Sequence, residues 1–166
     1  EYVLPEIKQH QPTILLVIDN LRFDQWKTIR NEFLNFYKVE KESAYYSILP
    51  TATQYARNAL FAGRTPLEIQ KQFPQWWKYD HEDGGKNLQE ENLLIAQCKR
   101  LGINRPISYH KLTQIKQSQN LIKNLQNHSH EGLTVVVLNF IDMISHAKTE
   151  MEMIKELAPD DKAYRS

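Results

Sequence analysis

One cysteine, Cys98, stands in a chain of 166 residues. That scarcity excludes a disulfide framework and a cysteine zinc knuckle. It fits a reducing, cytoplasmic compartment, and Cys98 itself reads as a buried apolar residue in a helix. Long hydrophobic runs are missing too. No segment approaches the length of a membrane span, and the N-terminus lacks the charged and apolar regions of a signal peptide, so no membrane insertion is expected. Neither charge sign dominates. The formal net charge of +1 excludes a chain that binds polyanions as a whole, so any anion recognition must be local. A Gly-rich phosphate loop is absent, which counts against a flavodoxin-like binding domain. No internal repeat or low-complexity segment occurs.

The pattern that remains alternates strands and helices. "TILLVID", Thr13 to Asp19, reads as a buried strand. Leu21, Phe23, Trp26, Ile29, Phe33 and Phe36 then recur at helical spacing. "SAYYSIL", Ser43 to Leu49, is a second strand candidate. Thr53 to Phe61 predicts a helix that stops at Gly63, and Pro66 opens another short one. "QWWKYDHEDGGKN" is a loop. "LQEENLLIAQCKRLGI" predicts a helix ending at Gly102, "RPISYH" a short strand, and "KLTQIKQSQNLIKNLQNH" another helix. "LTVVVLNF", Leu133 to Phe140, is the best strand in the chain, and "IDMISHAKTEMEMIKEL" turns helical after it. The order argues for an α/β domain with a mainly parallel sheet flanked by helices. In such sheets ligands sit beyond the carboxyl ends of the strands. That directs attention to Asp19, Thr51, Thr53, Asn139 and Asp142.

Each of these residues has two readings. Asp19 is a metal ligand or the N-cap of the next helix, and Asn20 serves equally well as that cap. Thr51 and Thr53 are caps, worth on the order of 1 kcal/mol, or one of them is a nucleophile. A hydroxyl at a helix N-terminus lies where an anion such as phosphate is favoured, but it needs a base or a metal to ionise it. Asp142 and His146 are four residues apart, which puts both on one helical face. Carboxylate and imidazole are ligand types that zinc accepts; the alternative is a solvated carboxylate–histidine pair. Arg57 shares a helical face with Thr53 and could meet a phosphate oxygen. His81, His110, His128 and His130 carry weaker signals, and Trp76 and Trp77 belong to a core or stack on a base.

Taken in order, "LLVIDNLRFD", "LPTATQYARNALFAGRTP" and "VVVLNFIDMISH" resemble the alkaline phosphatase superfamily. The middle segment is similar to the P-T-x-T segment of its nucleotide pyrophosphatase/phosphodiesterase branch. That resemblance implies Thr53 as nucleophile and Thr51 as a supporting hydroxyl. "VIDNLRFDQW" and "SILPTATQYARNALFAG" resemble the PglZ domain, and within it the PorX-type response regulators. The fold implied is a three-layer α/β sandwich of alkaline phosphatase type, incomplete in this chain. Residues 1–12 read as an N-terminal extension or linker, and residues 13–166 as a partial domain. The chain starts without methionine and ends at "DDKAYRS", and so reads as a piece of a longer protein.

The activity implied is a zinc-dependent phosphodiesterase that cleaves oligonucleotides or cyclic nucleotides through a phosphothreonine. It would serve as the output domain of a regulator of type IX secretion. Two zinc ions are expected in the complete domain, and one or none here, because the family draws further ligands from strands beyond residue 166. The resemblance implies Asp19, Thr53, Asp142 and His146 as the metal residues, with Asp19 on the zinc at Thr53 and Asp142 and His146 on the other ion. Asn20 would bind a nonbridging phosphate oxygen. The rival expectation is a non-catalytic effector that binds a sigma factor, a secretion component or a second copy of itself. A truncated sheet with an unpaired edge favours a homodimer.

Overall fold

A computed structural model describes Ile7, residues 12–125 and residues 132–150. His128, His130 and the later part of the last expected helix lie outside the described residues. The helices are α1 Phe23–Leu34, α2 Thr53–Ala62, α3 Pro66–Gln72, α4 Glu90–Arg100, α5 Ile115–Leu125 and α6 Phe140–Glu150. The strands are β1 Thr13–Ile18, β2 Ile107–Leu112 and β3 Leu133–Leu138. The chain divides into two compact units. Among the described residues, one holds the helical stretch 44–108. The other holds 14–43, 109–125 and 134–150, with nearly all of the sheet.

The sheet runs in the order β1-β3-β2. Thr13 N–H donates to the Gly132 carbonyl at 3.0 Å, and Asp19 N–H to the Leu138 carbonyl at 3.0 Å. On the other side Leu133 N–H meets the Pro106 carbonyl at 2.9 Å, and Asn139 N–H the Leu112 carbonyl at 3.1 Å. Partners advance together along both pairs, so all three strands are parallel and end at one edge. The α/β class expected from the sequence is the class the chain adopts. β3 lies in the middle, and its run of Val135, Val136 and Val137 is buried. Continuous apolar sequence suits a strand covered on both faces. Val136 packs with Leu112 and with Leu121 of α5, and Leu138 joins them.

Two expectations need correction. β1 is not a buried strand. It is an edge, and Ile14 and Leu16 are 66% and 43% exposed, because the alternate side chains of an edge strand can face solvent. "SAYYSIL" is not a strand either. Tyr45, Tyr46 and Leu49 are largely exposed there. The segment has the aromatic composition of a strand, but composition forms no ladder without a partner.

In the helical unit α2 packs on α4 and α3, around Phe61, Ile69, Leu93, Leu94 and Cys98. Burial pushes the Cys98 thiol pKa up, as an inert core thiol requires. Gly63 ends α2 in the left-handed region at φ 57°, its N–H returning to the Ala59 carbonyl at 2.8 Å. A side chain there would be strained at that φ and would push the Gln97 side chain of α4 aside, so glycine suits the position. α3 starts on a capping box. Thr65 N–H donates to Glu68 Oε2 at 2.8 Å, and Glu68 N–H to Thr65 Oγ1 at 3.4 Å.

Candidate functional site

Four candidate residues belong to the unit that carries the sheet. Asp19 and Asn20 follow β1. Asp142 lies in the first turn of α6, two residues past Phe140, which follows the end of β3 by two. Asp19 reaches the ligand edge because its N–H closes the β1–β3 ladder. It does not cap α1. The N-cap is Arg22, whose N–H donates to Gln25 Oε1 at 2.9 Å. Asn20 does not cap that helix either. It sits at φ 60°, a left-handed conformation that asparagine tolerates, and turns the chain away from the sheet. The cap readings of both residues therefore fall away.

Asp142 Oδ1 and His146 Nε2 are 3.5 Å apart, with the histidine 74% exposed and the aspartate 21%. Two donors on a tetrahedral zinc, each at about 2.0–2.2 Å, stand about 3.3–3.6 Å apart. The pair fits two positions of such an ion. Among the described residues no group of three or more His, Cys, Asp or Glu could hold a metal. The chain thus presents a two-donor pair and, separately at the same sheet edge, the Asp19 carboxylate.

The threonines belong to the helical unit. α2 takes Ala52 as its N-cap at φ −54° and ψ 137°, with no side-chain cap bond. Neither Thr51 nor Thr53 does capping work, which removes the alternative the sequence left open. Thr53 is the first helical residue, half-buried. Tyr55 N–H and Ala56 N–H both turn back to the Ala52 carbonyl, at 2.9 and 3.0 Å. Among the described residues the N–H groups of Thr53 and Gln54 have no acceptor, and no acidic residue occupies the first turn. That is a turn suited to an anion.

The α3–α4 loop holds this turn. Asp80 accepts from Tyr55 Oη at 2.8 Å and from the Gln54 amide. Tyr55 in turn stacks obliquely on Trp77 at 6.0 Å. The Tyr55 hydroxyl, then the Gln54 amide, hold the Asp80 carboxyl below its ordinary range, and the same Tyr55–Asp80 bond pushes the Tyr55 phenol up. A carboxylate depressed on folding contributes stability above its unfolded pKa, which is lost as pH falls through its folded one. Protection of the Tyr55 and Ala56 amides should therefore weaken in acid, and Asp80→Asn should remove that dependence. Hydrogen exchange measured against pH checks this; equal pH profiles for both proteins would contradict it.

Arg57 departs from its expected role at a phosphate. It is 5% exposed, and its guanidinium pairs with Glu90, itself 1% exposed, including a bond from Nη2 to Oε2 at 3.2 Å. A buried cation tied to a buried carboxylate works inside the core. Trp76 and Trp77 are half-buried, Trp76 stacked on Phe73 at 4.8 Å. A groove of about 270 Å³ lies along the other part of α2, lined by Tyr45, Tyr46, Ala56, Leu60, Arg64 and Thr65 among others. Arg64 Nε is buried without a hydrogen-bond partner. The sequence reading missed Glu90, Asp80 and Asn87. Their partners lie some thirty residues earlier, and no local pattern marks such pairs.

A parallel α/β sheet whose carboxyl edge carries Asp19 and an Asp142–His146 pair, with an uncapped threonine turn in the same chain, has the motif order of an alkaline phosphatase-like hydrolase domain. The family model of the BREX system PglZ alkaline phosphatase-like domain matches residues 1–166, and the chain belongs to that family. No curated protein matches the chain. Among the described residues no helix is long and apolar enough to cross a membrane.

Proposed function

We propose that this PglZ domain is a zinc-dependent phosphodiesterase with Thr53 as its nucleophile. The observation that carries the reading is the start of α2. Thr53 has a hydroxyl with no capping duty, beside N–H groups that have no acceptor among the described residues. A hydroxyl released from capping can attack phosphorus in line, and unpaired amides can receive the charge that grows on a nonbridging oxygen. The ester bond to the leaving alcohol breaks as the Thr53 Oγ1–phosphorus bond forms, giving a threonine-linked phosphodiester that keeps the other ester group; water then cleaves its bond to Thr53 and releases a phosphomonoester. By the resemblance, Asn20 would donate its side-chain amide to a phosphate oxygen. Asp19, Asp142 and His146 would hold the metal, with the last two as one pair. Zinc, when bound, supplies positive charge that ionises a hydroxyl and polarises the phosphoryl group. Thr51 supports the turn without reacting. Arg57 holds α2 to α4 rather than the substrate.

The substrate is a nucleotide or oligonucleotide diester. Two tyrosine faces and an arginine in the groove beside α2 suit an aromatic base. The wider context has two candidates. The matched family is described for BREX systems. The resemblance of "VIDNLRFDQW" to PorX-type regulators points instead to an output domain in type IX secretion. The proposed chemistry does not depend on which of the two holds.

Zinc affinity tests the metal assignment without activity. Equilibrium dialysis should show His146→Ala weakening zinc binding by at least about tenfold, a loss typical even of outer partners. Unchanged affinity removes His146 from the metal site. One observation favours the rival effector or homodimer reading: β1 is an edge with Ile14 and Leu16 exposed. A mass that rises with concentration in light scattering, in a protein without diesterase activity, would support it.

A further inference from the structure

We infer that Asn87, in the loop before α4, is a positioning residue for Thr53; this rests on the nucleophile reading above. Asn87 Nδ2 donates to the Thr53 carbonyl at 3.2 Å and to Asn58 Oδ1 at 3.0 Å. Asn58, buried one and a half turns into α2, donates from its own Nδ2 to the Lys86 carbonyl at 3.1 Å. The chain of bonds has one consistent orientation. A carbonyl can only accept, so the Lys86 carbonyl takes the Asn58 amide nitrogen. That leaves Asn58 Oδ1 facing Asn87. The Thr53 carbonyl also only accepts. Both contacts of Asn87 therefore require its NH₂.

The need for such a residue follows from the missing cap. A helix start without a side-chain cap is free to fray, and a fraying first turn carries its hydroxyl away from an attack geometry. Two other restraints on the turn act through neighbours of Thr53. Asp80 holds Gln54 and Tyr55, and Glu90 holds Arg57. Asn87 bonds the backbone of Thr53 itself. Fixing that carbonyl fixes the peptide unit from which the hydroxyl-bearing carbon projects. Asn87 moves no proton and breaks no bond; it acts through Thr53.

Asn87→Asp tests this, since it keeps the shape and turns an acceptor toward two acceptors. Leu93→Val, a buried change in α4 that takes no part in the Asn87, Asn58 and Thr53 bonds, is the control. In the full-length zinc-loaded protein, two readouts are taken: exchange of the Tyr55 and Ala56 amides, and kcat and KM for bis(4-nitrophenyl) phosphate. Asn87→Asp should quicken that exchange and lower kcat about tenfold to a hundredfold, as loss of positioning does. KM should stay within about twofold, because ground-state binding is not what the bond supplies. Leu93→Val should keep both near wild type. A kcat for Asn87→Asp no lower than for Leu93→Val, or unchanged exchange, overturns the inference. Thr53→Val is run alongside. If it matches wild type, the nucleophile reading itself has failed. Faster exchange in Asn87→Asp would then make Asn87 a clasp of the turn with no part in chemistry.

Discussion

Thr53→Val is expected to lower diester turnover at least about 1,000-fold, the scale on which loss of a nucleophile is felt. It should leave zinc binding and melting temperature near those of the unchanged protein. The substitution keeps the shape and the β-branch and removes only the hydroxyl. That hydroxyl makes no cap bond, so α2 loses nothing when it goes. Thr51→Val should behave differently. Thr51 precedes the N-cap and is exposed, and its loss should cost only a few-fold, as expected of a group that supports without reacting. Steady-state kinetics on both variants check the assignment. Equal losses would place the chemistry elsewhere in the segment, and no loss in either would remove the threonines from the reaction.

Glu90→Ala is expected to be the most destabilising single change at this site. Arg57 and Glu90 are both buried and answer each other's charge. Removing the carboxylate strands a guanidinium in the core. Breaking a buried pair from one side typically costs about 3–5 kcal/mol. For a chain of this size that lowers the melting temperature by about 10 °C or more. The double change Arg57→Met with Glu90→Leu should recover most of the loss, because apolar replacement of a whole buried pair is often neutral. Calorimetry on the three proteins checks it. A fall below about 3 °C for Glu90→Ala, about 1 kcal/mol at this size, would mean that water reaches the pair and that Arg57 is available to a ligand after all.

The contrast between these residues shows what the sequence could and could not display. β3 was legible because three consecutive valines in the middle strand must be buried on both faces. The limits of α2 were legible from Gly63 and from the proline before the threonines. "SAYYSIL" misled, since strand composition was present and a partner strand was not. β1 misled more mildly, because its apolar run does not reveal that it becomes an edge. Arg57 was misread for a different reason. Its helical face was right, but the partner that claims it lies 33 residues away. Helical spacing cannot report such a contact, and the same holds for Asn87 and Asp80. The candidate residues themselves came from chemistry at strand ends. What the structure added was the removal of their competing duties: Ala52 and Arg22 are the caps, not Thr53 and Asp19.

The most direct measurement is a search for the covalent intermediate. The zinc-loaded full-length protein is mixed with a slow aryl phosphodiester, quenched in acid within the first turnover, digested and read by mass spectrometry. A phosphoester adduct on Thr53, absent from Thr53→Val, is the expected result. Turnover with no adduct on Thr53, or an adduct on another residue, would contradict the assignment of this threonine as the nucleophile.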